Sequence, residues 1–233
     1  MKNDRLRFCC FLLAVLLSYI LLRITIVDYY TIATSSMSPT IQPGQRVRAI
    51  KPLFYGRQKI IPSDIIIFNV PKHERIWEIV RGEVYCKRVL GCPGDRIGAV
   101  DGHCWNDKVL RPVGVVEEQE KLRWMFDGFF RMADSFDVIP YTGCDWNVKN
   151  WGPMTVPAKG LTMILDSLNR ELYRQVIESE TGAILEDSVM EYTFKEDYYF
   201  VVGDNSISSS DSRYWGFVPE EFILGIVCDR SVR

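Results

Sequence analysis

The chain has 233 residues, enough for one sizeable hydrophobic core, or for one core with a smaller second domain. Hydrophobic residues make up 47% and charged residues 25%, as in an ordinary folded protein. The net charge of −2 excludes the basic surface typical of nucleic-acid-binding proteins, so we expect no nucleic-acid partner.

An apolar segment near the N-terminus predicts a membrane anchor. Residues 8–22 carry no charge and, counted through Arg23 to Val27, the segment reaches about 20 residues, the length that a bilayer requires. Basic residues precede it, so the positive-inside rule places the N-terminus in the cytoplasm and the rest of the chain outside. The alternative is a cleaved secretory signal, but residues 33–35, which resemble a cleavage site, lie too far beyond the apolar segment.

The remainder of the chain reads as mostly β-structure. Short runs rich in β-branched and aromatic residues, punctuated by glycine and proline, predict strands. They lie at residues 65–68, 84–90, 163–165, 198–202 and 223–227.

Residues 99–190 differ from their flanks and predict an inserted, smaller, β-rich second domain. They contain most of the tryptophans and show no clean alternation of polar and apolar residues. Within them, residues 167–179 predict one helix, with Ser167 as its N-cap. Its apolar stripe consists of Leu168, Leu172, Val176 and Ile177. Residues 121–132 mix aromatic and basic side chains, which fits either contact with a membrane surface or an aromatic core segment.

The cysteines and histidines give no sign of a metal site. The five cysteines beyond the apolar segment show no CxxC spacing, and their disulfide pairing stays open, with Cys104 and Cys144 as one possible pair. Both histidines, His73 and His103, lie in polar, loop-like surroundings, which does not favour a histidine-based catalytic triad. The five cysteines are Cys86, Cys92, Cys104, Cys144 and Cys228.

Lys87 is the most unusual ionisable residue in the sequence. By the alternation of a strand, it shares a face with Tyr85 and Val89. Burial disfavours a charged amine and lowers its pKa toward the range in which it accepts a proton near neutral pH. A neutral lysine can act as the general base for a serine hydroxyl, so Lys87 is a candidate base.

Three segments together resemble the type I signal peptidase (leader peptidase) family of Ser-Lys membrane proteases. Residues 36–40 (Ser-Met-Ser-Pro-Thr) match the family's nucleophile motif, and residues 87–95 match its base motif. Residues 203–205 (Gly-Asp-Asn) and 209–216 match its last motif. The resemblance covers residues 10–98 and 195–225 well, and it is weak over 99–160.

The resemblance implies a role for each matching residue. Ser36 is the nucleophile and Lys87 the general base of an acyl-enzyme mechanism, and the Thr34 hydroxyl helps to hold the oxyanion. Ser209 hydrogen-bonds the Lys87 amine, while Asp211 and Arg213 form a supporting ion pair. A Ser-Lys pair needs no metal, so no cofactor is expected.

The resemblance also implies a shallow apolar substrate pocket. Such a pocket admits small residues at positions −1 and −3 of a signal peptide. Cys86 and Cys92 depart from the aliphatic residues usual in the family, and Cys86 is a thiol that reagents could reach. The matching pocket positions are Ile32, Ala33, Met37, Ile41, Tyr85 and Cys86.

We therefore expect a membrane-anchored β catalytic core that cleaves signal peptides from secreted preproteins. It would sit in the cytoplasmic (inner) membrane with one transmembrane helix and with the catalytic domain on the outer, periplasmic face. The lipid bilayer and, as a candidate, the secretion translocon would be its partners. The expected segments are 1–27 (cytoplasmic N-terminus and anchor), 28–98 and 191–233 (catalytic β domain), and 99–190 (inserted domain).

Alternative functions follow from different readings of the same motifs. A relative dedicated to one pilin-like or conjugation precursor would carry the same residues. A LexA-like self-cleaving protein also uses a Ser-Lys pair, but it would be soluble and carry a DNA-binding domain. A degenerate homologue that only binds signal sequences would have lost the serine or the lysine, and both are present.

Overall fold

A computed structural model describes residues 7, 10–19, 26–52, 60–71, 79–125 and 146–228. In this part the chain is mostly β, with twelve strands arranged in three sheets, and it has α-helices at residues 10–19, 116–124, 167–181 and 212–215. The prediction of a mostly β protein is therefore confirmed.

The largest sheet has seven strands in the order β1-β2-β12-β3-β4-β10-β11, and every neighbouring pair is antiparallel. It brings together strands from both halves of the chain. Its members are β1 (Val27–Thr31), β2 (Arg46–Ile50), β3 (Ile65–Pro71), β4 (Ile79–Gly91), β10 (Tyr198–Val202), β11 (Val218–Pro219) and β12 (Ile223–Val227).

The predicted strands at 65–68, 84–90, 198–202 and 223–227 all lie in this sheet. β3 is a run of β-branched and aromatic residues, and Ile65 to Phe68 are all buried, as both faces of this central strand are covered. β3 pairs with β4 so that Ile66 lies opposite Lys87. This register holds the candidate base in the middle of the sheet.

Two smaller sheets and two helices follow β4. A three-stranded sheet has the order β6-β5-β7, and β8 pairs with β9, which confirms the strand predicted near residue 163. These elements are β5 (Arg96–Val100), β6 (His103–Asn106), β7 (Trp151–Thr155), β8 (Thr162–Ile164), β9 (Glu191–Thr193), helix α1 (Val116–Trp124) and helix α2 (Ser167–Thr181). A short helix α3 (Ser212–Trp215) lies between β10 and β11.

The predicted inserted domain shares a core with the large sheet. One cluster of buried side chains runs from Leu90 on β4, through β5, β7 and helix α2, to Phe200 and Phe217. The expected boundary at residues 98/99 falls inside β5, whose strand runs without a break from Arg96 to Val100. The boundary at 190/191 separates β9 from its partner β8. An independent second domain thus stays a prediction.

Helix α2 begins one residue earlier than its predicted cap implied. The carboxylate of Asp166 accepts a hydrogen bond from Asn169 N–H, so Asp166, rather than Ser167, is the N-cap. The helix ends at Thr181, and Gly182 after it has the left-handed conformation (φ 67°) that glycine adopts without strain. Leu172 and its successors in the stripe are buried, but Leu168 is 37% exposed because it lies in the first turn.

The predicted anchor lies only partly in the described residues. Residues 10–19 are helical and exposed, whereas residues 1–6, 8–9 and 20–25 lie outside the described part. Among the helices in the described part, none combines the length and the apolar character needed to cross a bilayer. His73, Cys144 and residues 126–145 also lie outside it, so the Cys104–Cys144 pair is untested.

Candidate active site

Ser36 lies in a tight turn that follows the edge strand β1. The chain leaves β1 extended and enters a 3₁₀ turn, Ser35–Met37, whose Met37 side chain is fully buried and fixes the turn to the core. The Ser36 carbonyl accepts a hydrogen bond from Asn205 N–H at 3.0 Å. The nucleophile candidate is therefore held from both sides, by the core and by the turn at residues 203–205.

Lys87 reaches Ser36 from the middle of β4. Its Nζ lies 2.6 Å from Ser36 Oγ, and the lysine is only 3% exposed. In the described part of the chain, no carboxylate lies within ion-pair distance of this amine. The amine also lies 5.3 Å from the centroid of the Tyr85 ring. The structure thus brings the two predicted catalytic residues into direct contact.

The surroundings lower the pKa of Lys87. Burial is the largest cause, since it disfavours the charged amine. The charge of Asp211 opposes this effect, and the charge of Arg213 reinforces it. The amine is therefore shifted toward the neutral form that accepts a proton from a hydroxyl.

Thr34 lies next to the serine. Its Oγ1 is 3.2 Å from Ser36 Oγ. The Ser36 amide belongs to the first turn of the 3₁₀ segment, where N–H groups have no acceptor within the helix. A hydroxyl and an amide N–H thus stand beside the hydroxyl of Ser36, as an oxyanion site requires.

Ser209 does not make the predicted hydrogen bond to Lys87. Its Oγ is buried and has no partner in the described part of the chain. The lysine amine donates to Ser36 Oγ instead, while the Ser209 side chain packs against Gly203. A Cβ at Gly203 would come within 2.1 Å of Ser209 Oγ and 2.6 Å of the Ser36 carbonyl oxygen. The close approach of the two segments depends on this glycine.

Asp211 and Arg213 form a buried, bidentate ion pair. Arg213 Nε and Nη2 each donate to the Asp211 carboxylate at 2.8 Å, and both side chains are almost fully buried. The carboxylate also accepts from Gly203 N–H at 2.9 Å. Burial alone raises the pKa of Asp211, but the charge and hydrogen bonds of Arg213 outweigh it and lower the pKa. The pair stabilises the turn beside Lys87.

A second buried ion pair was not anticipated from the sequence. Arg88 Nε and Nη2 donate to the carboxylate of Asp204 at 2.7 and 2.6 Å. Thr40 Oγ1 donates a short hydrogen bond to the same carboxylate. Asp204 thereby links the segment after the nucleophile to β4. Arg88 itself could have indicated this ion pair, because a charged side chain buried on a central strand requires a buried partner.

A cleft of about 400 Å³ opens beside the Ser36 and Lys87 side chains. Four predicted pocket residues line it: Ile32, Ala33, Tyr85 and Cys86. The other two, Met37 and Ile41, do not line it, because both side chains are fully buried in the core. Lining residues that the sequence reasoning missed are Tyr30, Thr31, Ser35, Ile67, Val84, Ser208 and Ser210.

Neither a metal centre nor a histidine takes part in this site as described. Among the described residues, no group of three or more histidine, cysteine, aspartate or glutamate side chains is placed to hold a metal ion. His103 Nε2 lies 3.2 Å from Glu120 Oε1 and does not line the cleft. The polar groups that line the cleft are hydroxyls, the Lys87 amine, backbone amides and the Cys86 thiol.

Comparisons with known proteins place the chain in a family. The model of the family described as "Signal peptidase, peptidase S26" matches residues 5–229. The chain is 27% identical to signal peptidase I of Aquifex aeolicus over 226 residues, which cover 92% of this chain and 79% of that protein. It is 28% identical to signal peptidase I of Bacillus caldolyticus over 212 residues, covering 88% of this chain and 80% of that protein.

Among solved structures, a signal peptidase I from Enterococcus faecalis V583 covers 73% of this chain and 97% of its own length. Its sequence identity is 20% and its TM-score is 0.32, a likeness too low to support any comparison of the two folds.

Proposed function

Because the chain belongs to the signal peptidase family, peptidase S26, and is thus a serine protease that removes signal peptides, we propose that Ser36 and Lys87 are its catalytic pair. The observation that carries the proposal is the 2.6 Å hydrogen bond between Lys87 Nζ and Ser36 Oγ. It joins a hydroxyl to a buried amine whose pKa is lowered. Nucleophile and base in direct contact are the arrangement that covalent catalysis requires.

The proposed reaction proceeds through an acyl-enzyme. Ser36 Oγ attacks the scissile carbonyl carbon while the neutral Lys87 amine accepts the hydroxyl proton. The C–N bond then breaks, and the leaving amine takes that proton from Lys87. Water hydrolyses the resulting ester, with Lys87 accepting the proton of the water and returning it to Ser36 Oγ.

The negative charge on the carbonyl oxygen would be held by two donors. These are the Ser36 backbone N–H, in the first turn of the 3₁₀ segment, and the Thr34 hydroxyl, 3.2 Å from Ser36 Oγ. Donors fixed before the reaction stabilise the developing charge without reorganising.

Cleavage after small residues at −1 and −3 is the specificity that we propose. In an extended peptide, alternate side chains point to the same side, so positions −1 and −3 would both face the cleft. Its walls near the dyad are formed by apolar side chains, including Ile32, Ala33 and Cys86. Small apolar side chains would be accepted there, and the residue at −2 would point away.

The proposed location is the cytoplasmic membrane. Residues 8–27 would form a single transmembrane anchor, with the N-terminus in the cytoplasm and the cleft on the outer, periplasmic face. Secreted preproteins would reach the cleft as they leave the bilayer or the translocon. The proposed supporting residues are Asp211 and Arg213, which would hold the turn at 203–213 against the dyad.

The test is cleavage of a fluorogenic peptide with alanine at −1 and −3 by the full chain in detergent. Ser36→Ala and Lys87→Ala are each expected to lower kcat/KM by at least about 10⁴-fold, because either change removes the proton transfer from the nucleophile. The matched controls, exposed Ser188→Ala and Lys159→Ala, are expected to keep the wild-type rate. A Lys87→Ala variant that retains activity would rule out the dyad.

A further inference from the structure

The cleft differs on the two sides of the proposed dyad. Every neighbouring pair in the order β1-β2-β12-β3-β4 is antiparallel, so β1 and β4 run in the same direction. Ser36 follows β1 in the chain, and Lys87 follows the lining residues of β4, so the dyad lies at the same end of both lines. The side chains that line the cleft before the dyad are mostly apolar or aromatic: Tyr30, Thr31, Ile32, Ala33, Ile67, Val84, Tyr85 and Cys86.

Ser208 and Ser210 line the cleft on the other side of the dyad. They belong to the turn at 203–213, which is bonded to the turn that carries the nucleophile. Asn205 N–H donates to the Ser36 carbonyl at 3.0 Å, and Asn205 Nδ2 donates to the Ser35 carbonyl at 3.2 Å. The two serines therefore join the cleft where the strands β1 and β4 have already led to the dyad.

Both serine hydroxyls are available to a bound peptide. Ser208 and Ser210 are exposed whereas Ser209 between them is buried, so the two exposed side chains lie on the same side of the segment. Within the described residues, neither hydroxyl makes a hydrogen bond to another part of the chain. A hydroxyl has one donor and two acceptor sites, so the pair offers hydrogen bonds of both kinds.

The segment that carries the two serines is held in place by hydrogen bonds. Ser208 N–H donates to the Asn205 carbonyl at 3.1 Å. Asp211, which is paired with Arg213, accepts a hydrogen bond from Gly203 N–H at 2.9 Å. Groups on a fixed segment bind without the entropic cost of ordering a loop. The serines are thus positioned before a peptide arrives.

We propose that Ser208 and Ser210 select the residue at position +1 of the preprotein and favour a polar side chain there over an apolar one. The inference rests on the proposed dyad and on the proposed seating of positions −1 and −3. With those side chains among the apolar residues and the scissile carbonyl at Ser36, the chain must continue past the dyad, beside the two serines. A polar +1 side chain replaces the water bonded to the hydroxyls, whereas an apolar one displaces that water and leaves the hydroxyls unpaired.

This selection would act on the first residue of the mature protein. Positions −1 and −3 belong to the signal peptide, so the two sides of the cleft would read different parts of the precursor. Small residues recur in many sequences and often define more than one candidate bond. A precursor with two such bonds would then be cut at the one that a polar residue follows.

The experiment compares two fluorogenic peptides that have alanine at −1 and −3 and differ only at +1, where one has asparagine and the other leucine. These two side chains have nearly the same shape. The readout is the ratio of kcat/KM for the asparagine peptide to that for the leucine peptide, measured with the full chain in detergent. A hydrogen bond between neutral groups is worth about five-fold, so the wild-type ratio is expected to be about 5 if one hydroxyl bonds and about 25 if both do.

Two double variants isolate the hydroxyls, since valine and threonine have the same shape. Ser208→Thr with Ser210→Thr is expected to keep the ratio, and Ser208→Val with Ser210→Val is expected to lower it to about 1 or below. As a control, Ser167→Ala with Ser188→Ala removes two exposed hydroxyls outside the cleft and is expected to leave the ratio unchanged. A wild-type ratio near 1, or a valine variant that keeps the wild-type ratio, overturns the inference.

Binding of the same two peptides, followed by fluorescence anisotropy, reads the selection without cleavage. The Ser36→Ala variant is expected to bind the asparagine peptide more tightly than the leucine peptide, and adding the two valine substitutions is expected to remove the difference. Cleavage of both peptides at one rate and with one affinity would reject the selection and keep the protease. A wild type that cleaves neither peptide but binds the asparagine peptide more tightly would reject the dyad and keep the selection.

Discussion

Lys87 and Arg88 are adjacent cationic residues on β4, both are buried, and their environments are opposite. Arg88 donates two hydrogen bonds to the Asp204 carboxylate and a third, of 2.8 Å, to the Ser63 carbonyl. Lys87 donates to the neutral hydroxyl of Ser36 and has no carboxylate within ion-pair distance in the described part of the chain. Strand β4 thus carries one cationic residue, Arg88, that is paired with a carboxylate, and one, Lys87, that has no such partner in the described part of the chain.

The difference shows how a buried base is made. A guanidinium cannot lose its proton, so Arg88 needs a fixed counter-charge. A buried amine avoids the desolvation penalty of its charged form by losing its proton. The proton is lost most easily where no carboxylate stabilises the charged form. The residues around β4 direct the carboxylates of Asp204 and Asp211 to arginines, and this leaves the Lys87 amine free of the counter-charge that would oppose its proposed role as a base.

The largest effect is expected when the uncompensated amine is removed. Lys87→Met is expected to lower kcat/KM by at least about 10⁴-fold, yet to unfold at a higher temperature than the wild type. Burial lowers the pKa of Lys87 from 10.5, so wild-type stability falls as the pH drops from that value to the lowered pKa and then levels off.

The measurement is Tm across a pH series for the wild type and Lys87→Met. The Tm difference should grow as the pH falls toward the lowered pKa. Lys159→Met, at an exposed lysine, should follow the wild type at every pH. A constant Tm difference would mean that Lys87 is not the group that titrates.

A smaller effect is expected when the buried Asp211 carboxylate loses the arginine that is paired with it. Arg213→Met leaves the Asp211 carboxylate buried and unpaired, which is expected to cost about 3–5 kcal/mol of stability. Arg213 lowers the pKa of Lys87, so its loss should raise that pKa. The acid limb of the pH profile of kcat/KM should then move to higher pH.

Urea unfolding and the pH profile test the two parts separately. The double variant with Asp211→Asn removes both charges and should recover part of the stability. A destabilised Arg213→Met whose pH profile is unchanged would show that the pair supports the turn without tuning the lysine.

A third substitution tests the Arg88–Asp204 ion pair, and it is expected to destabilise the protein less. Thr40→Val removes one hydrogen bond to the Asp204 carboxylate, which keeps both bonds from Arg88. We expect a loss of about 1–2 kcal/mol in the free energy of unfolding and no change in the pH profile. Thr40→Ser keeps the hydroxyl and should unfold like the wild type, and a loss of equal size in that variant would point to packing instead.

The smallest effect concerns Cys86, which directly precedes Lys87 on β4. Burial raises the pKa of this thiol to about 12, and it is only 7% exposed. We therefore expect iodoacetamide to label Cys228, which is partly exposed, long before Cys86 in the folded protein. This expectation replaces the accessible thiol that the sequence suggested. Rapid labelling of Cys86, mapped by peptide mass, would contradict it.

Local pattern predicted five of the twelve strands in the described part and the helix at residues 167–181, but it did not predict β1, β2, β5–β7, β9, β11 or helix α1. The runs at 65–68 and 198–202 are apolar throughout because they are central strands, and Lys87 stands out since alternation places it among apolar neighbours. The motifs then supplied the serine. Each of these predictions depends either on neighbouring residues in the chain or on the identity of the residues in a motif.

The remaining features of the site depend on contacts between residues that are far apart in the chain, and the sequence does not specify those contacts. Arg88 and Asp204 lie 116 positions apart, and nothing local shows that their faces meet. Met37 and Ile41 were expected in the pocket from the family resemblance, but both side chains are fully buried in the core. The cap of helix α2 moved from Ser167 to Asp166, since both residue types cap well and only the backbone decides.

The site is built from segments that leave the ribosome at very different times. Ser36 is synthesised early, Lys87 follows after 51 residues, and Asp204, which bonds Thr40, comes 164 residues after it. The turn at 203–213 closes the site, and β12 completes the sheet by joining β2 to β3. A nascent chain therefore holds its serine and lysine without the turn that fixes them. The proposed proteolytic activity therefore has to wait until residues 203–227 have left the ribosome.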